Sequence, residues 1–380
     1  MQYHLTPDYP NVGGQEIKAA SKVIQSKKLS SFSGKKNTQY EKELCNYFKT
    51  RYAVAVSSGT SALHCALYAT GIGPSDEVLV PATALVLTVL PILFRNATPV
   101  FVDTQKNNFD FDYKDLEKKI TSRTKAIIPV YLWGYPIDLE KLSNLAKKYS
   151  LKIIEDAAQA HGSKYQGKNL GTIGDIGCFS TFETKLVSTG EGGFVLTNND
   201  KYAKKMKSFI RHCMSYKVEQ GMPRITFYDV GWNYRINEIT AAIGLTQIKK
   251  LSQRIKKREK NAQYLIKHLN DLKEISIYQP GNTIDSNPNY FSILIITDDK
   301  WGNNKLAKTL YKLGIPSDVI TYNYRVCYTH PLFKKIVGHV STECRKAENL
   351  VTRMINLPTY ENLTKNDLDH IVTSIKKTVK

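Results

Sequence analysis

The sequence IIEDAAQAHG at residues 153–162 is the stretch that decides the fold. Its two isoleucines predict the end of a buried β-strand, and Glu155 and Asp156 place two carboxylates where that strand stops. Ligands of open α/β sheets bind at the carboxyl ends of strands, and the small residues that follow would allow a close approach. Asp156 would be half-buried and would need a cationic partner, such as a protonated cofactor ring nitrogen. The alternative for Asp156 is that it caps the next helix. For His161, the favoured interpretation is a hydrogen-bonded core histidine rather than a catalytic residue.

The alternation of short apolar runs with longer segments around this stretch predicts a doubly wound α/β domain. Compact runs rich in Val and Ile occupy residues 53–56, 77–80, 99–102, 125–130 and 151–154. Most are separated by segments long enough for a crossover helix, which is typical of a mainly parallel sheet. Residues 178–182 and 193–197 are instead joined by a glycine-rich bend, and they could add strands that run the other way.

The chain divides into two predicted domains. Apolar residues recur at helical spacing from about residue 237 to residue 272, which predicts a long connecting helix. Beyond it, an apolar run at 290–296 and a helix at 305–313 indicate a smaller α/β domain. We therefore expect a large domain over residues 1–250 and a small C-terminal domain over residues 251–380.

The composition excludes several classes of protein. The 380 residues are 42% hydrophobic and 23% charged, which argues against wholesale disorder. The six cysteines form no CxxC pair, so no metal site is expected, and reduced thiols in a cytoplasm fit best. The N-terminus lacks the basic start and apolar run of a secretory signal. The apolar stretch at residues 78–94 is too short and too rich in proline to span a membrane.

The net charge is strongly positive. There are 54 basic and 34 acidic side chains, which leaves a formal charge of +20. This excess predicts anionic partners, namely nucleic acid, an anionic membrane surface or small molecules that carry phosphates. The densest basic stretch, at residues 249–260, is most simply a solvated helix face, so nucleic acid is not the expected partner.

Residues 57–63, with the sequence SSGTSAL, form a candidate phosphate site. A β run ends there in small hydroxyl residues, and an Ala/Leu-rich helix begins. Backbone N–H groups at the helix start, the positive end of the helix dipole and the hydroxyls of Ser58 or Thr60 would suit a phosphate. A plain helix N-cap fits the same residues equally well.

Lys185 is the candidate nucleophile. It follows the apolar run at 178–182 and precedes a glycine-rich bend, so its amine could point into an enclosed, partly dehydrated pocket. Desolvation lowers the pKa of a lysine and exposes the neutral amine needed for Schiff-base chemistry. A surface lysine is the alternative, and the neighbouring motifs favour the catalytic interpretation.

The last candidate stretch is GWNYRINEITAAIG at residues 231–244. Asn233 and Arg235, beside aromatic residues at a helix start, could donate hydrogen bonds to an anion. The small residues that follow permit close helix packing. Without further context, the stretch fits an ordinary helix cap and a packed helix.

Taken together and in their order along the chain, residues 57–63, 153–162, 179–193 and 231–244 resemble the DegT-type pyridoxal-phosphate-dependent sugar aminotransferases, which have the aspartate-aminotransferase-like fold type I. The resemblance covers nearly the whole chain and also includes Gly34, YEKEL at 40–44, GPSDEV at 73–78, PVFVD at 99–103 and NLP at 356–358. Each piece is weak alone, whereas the combination is highly specific. The resemblance implies an α/β fold, with a mixed, mostly parallel seven-stranded sheet in the large domain and a smaller C-terminal α/β domain.

The resemblance also implies how the cofactor, pyridoxal 5'-phosphate, would be held. Lys185 is similar to the lysine that forms the internal aldimine and then moves the proton between cofactor and substrate carbons. Asp156 is similar to the partner of the pyridine nitrogen, and Gln159 to the residue beside the ring hydroxyl.

Four further residues resemble the family's phosphate ligands. Gly59, Thr60 and Ser180 match ligands from the same chain. Asn233 matches a residue that reaches the same phosphate from the neighbouring subunit. This last role implies an obligate homodimer with shared active sites.

Two stretches depart from the family's pattern. Leu85 stands where the family usually places an aromatic residue that stacks on the pyridine ring, so we expect weaker or differently tilted cofactor binding. Residues 322–330 differ from the family's usual tyrosine- and histidine-containing stretch, which leaves the identity of the substrate open.

The resulting hypothesis is a transaminase that moves an amino group from an amino acid, with L-glutamate expected, to a keto sugar. The sugar is expected to be nucleotide-linked. One alternative is a cofactor-dependent sugar dehydratase, but such relatives carry histidine at the position of Lys185. Another is a non-catalytic regulator that binds cofactor or nucleic acid, which Asp156 and Lys185 disfavour and Leu85 leaves open.

Overall fold

The computed structural model describes residue 5 and residues 12–219, 221–280, 285–298, 302–336 and 343–379. The strands are β1 Tyr52–Val56, β2 Glu77–Pro81, β3 Thr98–Val102, β4 Thr124–Ile127, β5 Lys152–Asp156, β6 Lys164–Tyr165, β7 Lys168–Asn169, β8 Ile176–Ser180, β9 Gly193–Thr197, β10 Met214–Glu219, β11 Met222–Phe227, β12 Ile275–Ile277, β13 Ser286–Asn287, β14 Ser292–Thr297 and β15 Met354–Pro358. The α-helices are α1 Gly14–Gln25, α2 Lys36–Phe48, α3 Gly59–Ala69, α4 Val86–Phe94, α5 Tyr113–Lys118, α6 Leu139–Lys148, α7 Asp200–Phe209, α8 Glu238–Leu269, α9 Asn303–Lys312, α10 Asp318–Thr321, α11 Pro331–Ile336, α12 Arg345–Val351 and α13 Lys365–Val379.

The main sheet has seven strands in the order β1-β9-β8-β5-β4-β2-β3. Pairing is parallel from β8 through β5, β4 and β2 to β3, and β9 is antiparallel to both of its neighbours. The predicted mixed, mostly parallel seven-stranded sheet is therefore confirmed.

One strand direction differs from the sequence-based expectation. The apolar runs at residues 178–182 and 193–197 were both expected as possible strands antiparallel to the rest of the sheet. Instead, β8 is parallel to β5, and β9 is the one antiparallel strand among the seven described strands of this sheet. The segments that connect the strands explain this difference. Residues 157–175 return the chain to the edge of the sheet at which β5 begins, so β8 runs parallel to β5. Residues 181–192 contain no described helix and lead from the end of β8 directly into β9, so β9 is antiparallel to β8.

The sheet is buried on both faces, which explains why its strands are almost continuously apolar. Val54, Val78 and Val80 face one core, against α3 and α4. Ala53 and Leu79 face the other core, against α2, α6 and α8. Successive side chains of one strand thus enter opposite layers.

The 32-residue helix α8 connects the main sheet to the C-terminal region. It begins where the Asn237 side chain accepts a hydrogen bond from the Thr240 backbone N–H at 2.9 Å. A Cβ at Gly244 would lie 2.6 Å from the Tyr40 ring, so glycine is required for the close contact with α2. The predicted domain boundary at residues 250 and 251 falls inside this continuous helix and stays a prediction.

The C-terminal region has a three-stranded antiparallel sheet, in the order β12-β14-β15, with α9 and α13 nearby. No helix in the described part of the chain is both long and apolar enough to cross a membrane. The six cysteines are unpaired.

Candidate active site

A cavity of about 370 Å³ lies where β1, β5 and β8 end. Ligands of open α/β sheets bind at this edge. Seven of the eight residues predicted from the sequence line it: Gly59, Thr60, Leu85, Asp156, Gln159, Ser180 and Lys185. The eighth, Asn233, is not among the lining residues and is exposed.

Asp156 is the last residue of β5 and is 6% exposed. Its Oδ2 accepts a hydrogen bond from the Thr88 hydroxyl at 2.7 Å, and its Oδ1 accepts one from the Ala158 backbone N–H at 3.1 Å. The next α-helix begins only at Asp200, so Asp156 does not cap a helix. Burial raises the pKa of this carboxyl, and the charge of Lys185 opposes the shift, so a further cation beside Asp156 would favour its ionised form.

Glu155, the other carboxylate of the motif, has a structural role. It is fully buried and accepts hydrogen bonds from the Tyr131 hydroxyl at 2.6 Å and from the backbone N–H groups of Gly171, Ile173 and Gly174 at 2.6–2.7 Å. These bonds fix the loop that precedes β8. Of the two predicted carboxylates, Asp156 is therefore the one that serves the cavity.

The start of α3 combines the two interpretations of the SSGTSAL stretch. Ser58 is the N-cap, since its Oγ accepts a hydrogen bond from the Ser61 backbone N–H at 3.0 Å. The first N–H groups of a helix have no partner within it, so Gly59 and Thr60 present donors at the cavity wall. A Cβ at Gly59 would lie 2.8 Å from the Ser180 Cβ, so only glycine allows α3 to approach β8 this closely.

Lys185 lies in the turn after β8, where its backbone N–H donates to the Phe182 carbonyl at 2.9 Å. Its side chain is half-buried, and its Nζ lies 5.2 Å from the centroid of the Phe291 ring. Burial lowers the pKa of the amine, while the negative charges of Asp318 and Asp156 raise it. The lowered pKa agrees with the sequence-based expectation of an enclosed lysine.

Gln159 is oriented by the main chain of a neighbouring loop. Its Oε1 accepts the Trp133 backbone N–H at 2.6 Å. Its own carbonyl accepts a hydrogen bond from the Asn289 side-chain amide at 2.9 Å. With the amide oxygen engaged in this way, the NH₂ group is the part of the side chain that remains to donate toward the cavity.

Leu85 gives the cavity an aliphatic wall. It is the N-cap residue of α4, and its extended backbone turns the chain from β2 into that helix. Leu63 and Val130 add further apolar surface. The cavity therefore holds its polar groups within largely hydrophobic walls, which is the usual character of a small-molecule site.

His161 and Arg235 do not line this cavity. His161 is fully buried, with its ring edge-on to Phe179 and Phe194, so the interpretation as a core residue is correct. The predicted hydrogen bond is not confirmed, because neither ring nitrogen has a hydrogen-bond partner among the described residues. Burial lowers the pKa of His161 to about 3, which keeps the ring neutral. Arg235 stacks over the ring of Phe32 at 5.0 Å.

Thr88, Trp133 and Asp318 were not predicted from the sequence. The Thr88 hydroxyl donates a hydrogen bond to Asp156, which lies 68 positions away in the sequence. The Trp133 indole donates one to Asp318, which lies 185 positions away. No local pattern encodes such pairings. Asp318 follows Ser317 at the start of α10 and resembles an ordinary first-turn acidic residue.

A buried aspartate, a lysine of lowered pKa and the start of α3 therefore meet in one cavity at the carboxyl edge of the main sheet. The chain belongs to the DegT/DnrJ/EryC1/StrS aminotransferase family, whose profile matches residues 10–376. The fold and the family expected from the sequence are confirmed.

Several relatives match almost the whole chain. GDP-perosamine synthase of Escherichia coli O157:H7 is 35% identical over 372 residues, which cover 97% of this chain and 96% of the relative. UDP-4-amino-4,6-dideoxy-N-acetyl-beta-L-altrosamine transaminase of Campylobacter jejuni is 29% identical and covers 96% of this chain and 94% of its own. The solved structure of Helicobacter pylori PseC, an aminotransferase involved in pseudoaminic acid biosynthesis, has a TM-score of 0.89 at 29% identity, with 99% of each chain covered.

Proposed function

We propose that this protein is a pyridoxal-phosphate-dependent aminotransferase that moves an amino group from an amino acid to a keto sugar. The observation that carries the proposal is the single cavity into which Lys185, Asp156 and the start of α3 converge. Family membership supports the same reaction class.

The residues of the cavity fit the cofactor. Asp156 is buried, which disfavours its ionised form, and a cationic neighbour such as a pyridinium nitrogen would offset this effect and stabilise the carboxylate. Gly59, Thr60 and Ser180 offer N–H and hydroxyl donors at a helix start, which suits a dianionic phosphate. The NH₂ group of Gln159 would donate to the ring hydroxyl oxygen.

Bound in this cavity, pyridoxal phosphate would supply an electron sink for the substrate carbon that gains or loses a proton. Lys185 would hold that proton on Nζ and return it, and burial favours the neutral amine that a base requires. Asp156 would keep a proton on the ring nitrogen. Leu63, Leu85 and Val130 would exclude water from the reacting atoms.

We propose a nucleotide-linked keto sugar as the acceptor and L-glutamate as the donor. Two relatives that match nearly the whole chain carry GDP- or UDP-sugars in their names, which supports a nucleotide-linked acceptor. The formal charge of +20 would attract a diphosphate.

We also propose a homodimer in which Asn233 reaches the phosphate of the neighbouring subunit. The hairpin of β10 and β11 precedes Asn233 and exposes a set of large apolar side chains, each more than half exposed: Tyr216, Val218, Met222, Ile225 and Phe227. Apolar surface of this kind is typical of a protein interface. A second copy of the chain would cover the hairpin and place Asn233 beside its cavity.

The domain and cellular assignments stay proposals as well. We propose a large domain at residues 1–250 and a small domain at residues 251–380, with α8 continuous between them. The unpaired cysteines support a reducing compartment, and we propose the cytoplasm.

The test is an absorption spectrum of the purified protein with pyridoxal phosphate, followed by borohydride reduction and peptide mass mapping. A visible band and a reduced adduct on Lys185 are expected. The Lys185→Ala variant should lose both the adduct and amino transfer from glutamate to nucleotide-linked keto sugars. Lys168→Ala, at an exposed lysine, is the matched control and should keep both. Turnover by Lys185→Ala, or no adduct in the unchanged protein, would contradict the proposal.

A further inference from the structure

Arg254 is a buried arginine on α8, next to the turn that carries Lys185. Its side chain and backbone together are 6% exposed. Its Nη1 donates to the Leu186 carbonyl at 2.5 Å and to the Gln247 side-chain oxygen at 2.7 Å. Burying a guanidinium costs free energy unless its N–H groups are hydrogen-bonded. These two acceptors therefore stabilise Arg254 in one orientation, with Nη1 directed at the turn.

The turn that carries Lys185 is held on both sides of the lysine. The Lys185 backbone N–H donates to the Phe182 carbonyl at 2.9 Å, and the Leu186 carbonyl accepts from Arg254. Leu186 is 1% exposed, so its carbonyl needs a partner within the protein, and the loss of that partner would leave a buried acceptor unsatisfied. Arg254 thus fixes the main chain where it leaves Lys185 for the glycine-rich bend.

Gln247 connects Arg254 to the first helix of the chain, α1. Its side-chain NH₂ group donates to Glu16 Oε1 at 3.0 Å, and the Lys250 amine donates to the same oxygen at 2.7 Å. Glu16 belongs to α1 and is 1% exposed. Because the NH₂ group of Gln247 is engaged by Glu16, its oxygen is the end that accepts from Arg254. A continuous row of hydrogen bonds therefore runs from α1 through α8 to the residue after Lys185.

We propose that Arg254 is a positioning residue, which holds Lys185 in the cavity by fixing the Leu186 carbonyl. Glu16 orients Arg254 through Gln247. This inference rests on the proposed function, because Lys185 is the base of that reaction. A base must lie within hydrogen-bond reach of the proton that it accepts, and small misplacements of reacting groups cause large losses of rate.

The test is the acidity of the Lys185 amine in the cofactor-free protein. Competitive acetylation with acetic anhydride across a pH series, read by peptide mass mapping, reports the neutral fraction of this amine. In the unchanged protein, burial lowers the pKa of Lys185. Arg254→Met should loosen the turn and admit water to the amine. We expect the apparent pKa to rise by about one unit, which is about a tenfold smaller neutral fraction at a fixed pH below both pKa values.

Three further variants separate positioning from the loss of a charge. Gln247→Leu keeps Arg254 but removes the oxygen that orients it, so it should also raise the pKa of Lys185, by a smaller amount. Arg254→Lys keeps a cationic donor and should retain most of the unchanged profile. Lys119→Met is the matched control, because the Lys119 amine donates to a main-chain carbonyl elsewhere, that of Phe101 in β3, at 2.8 Å. It should leave the Lys185 profile unchanged.

Superimposable Lys185 profiles for the unchanged protein and Arg254→Met would overturn the inference, as would an equal shift in Lys119→Met. A shift in Arg254→Met that is absent from Gln247→Leu would assign the change to the lost charge and would overturn it as well. If Arg254→Met does not fold, the Gln247→Leu profile decides.

The labelling contains no cofactor, so its result is independent of the proposed function. A failure of pyridoxal phosphate to form an adduct with the unchanged protein would refute the proposed function, while the Lys185 profiles still decided whether Arg254 holds the lysine in place.

Discussion

Replacing Gly59 with alanine tests whether the start of α3 holds the cofactor phosphate. A Cβ at this position would lie 2.8 Å from the Ser180 Cβ and 3.3 Å from its Cα, distances at which an atom must move. The Ser180 Cα is backbone of β8, a buried strand of the main sheet, so the first turn of α3 is the part that can shift. That shift would carry the N–H groups of residues 59 and 60 away from the phosphate.

The size of the effect follows from the cost of overpacking, which is about 1–3 kcal/mol. If this cost is expressed in the contact with the phosphate, the Kd for pyridoxal phosphate rises by about 5- to 150-fold, since about 1.4 kcal/mol corresponds to a tenfold change. We expect the loss of affinity in a titration followed by absorbance, together with a lower free energy of unfolding.

The matched control is Gly73→Ala, because a Cβ at Gly73 meets no atom within 4 Å and the residue does not have a positive φ. This variant should bind the cofactor with the affinity of the unchanged protein. A Gly59→Ala protein that kept its Kd within about twofold, below the range that overpacking implies, would refute the reasoning.

Three other predictions follow from the structure. Leu85→Phe should place a ring where the aliphatic wall now lies and tighten pyridoxal phosphate about 2- to 10-fold in the same titration, because aromatic stacking contributes about 0.5–1.5 kcal/mol; unchanged or weaker binding would contradict this. Burial lowers the pKa of His161 to about 3, below its unfolded value, so the unfolded chain binds the proton first and stability is lost as the pH falls below about 6.5. Denaturant unfolding at pH 7 and 4.5 should show a loss of about 2–3 kcal/mol from this group, and His161→Leu should lose correspondingly less. The double variant Val218→Asp and Ile225→Asp should shift the protein toward monomer in analytical ultracentrifugation, whereas an unchanged mass would place the interface elsewhere.

The sequence predicted the parts of the site that depend on local order. Asp156, Gly59 and Ser180 each lie at the end of a β run or at the start of the helix that follows it. Strand ends can be read from the apolar pattern, and parallel strands bring their carboxyl ends to one edge. Seven of the eight predicted residues therefore line one cavity, and their roles toward a cofactor stay predictions.

The parts that escaped prediction depend on contacts across the chain. The direction of β8 was open because the segment before it carries no crossover helix that a pattern could reveal. Asp318 and Trp133 lie 185 positions apart in the sequence and are brought together only by the tertiary fold. Neither residue has a neighbour in sequence that indicates this meeting.

The pairing of β1 with β9 has a consequence for synthesis on the ribosome. β1 is an edge strand whose partner in the sheet is β9, and Val56 pairs with Gly193, so β1 leaves the ribosome well before the strand that covers its backbone. Until then the apolar sequence YAVAV offers unpaired N–H and C=O groups to any other nascent chain. Translation of residues 57–192 is therefore the interval in which this protein most needs a chaperone.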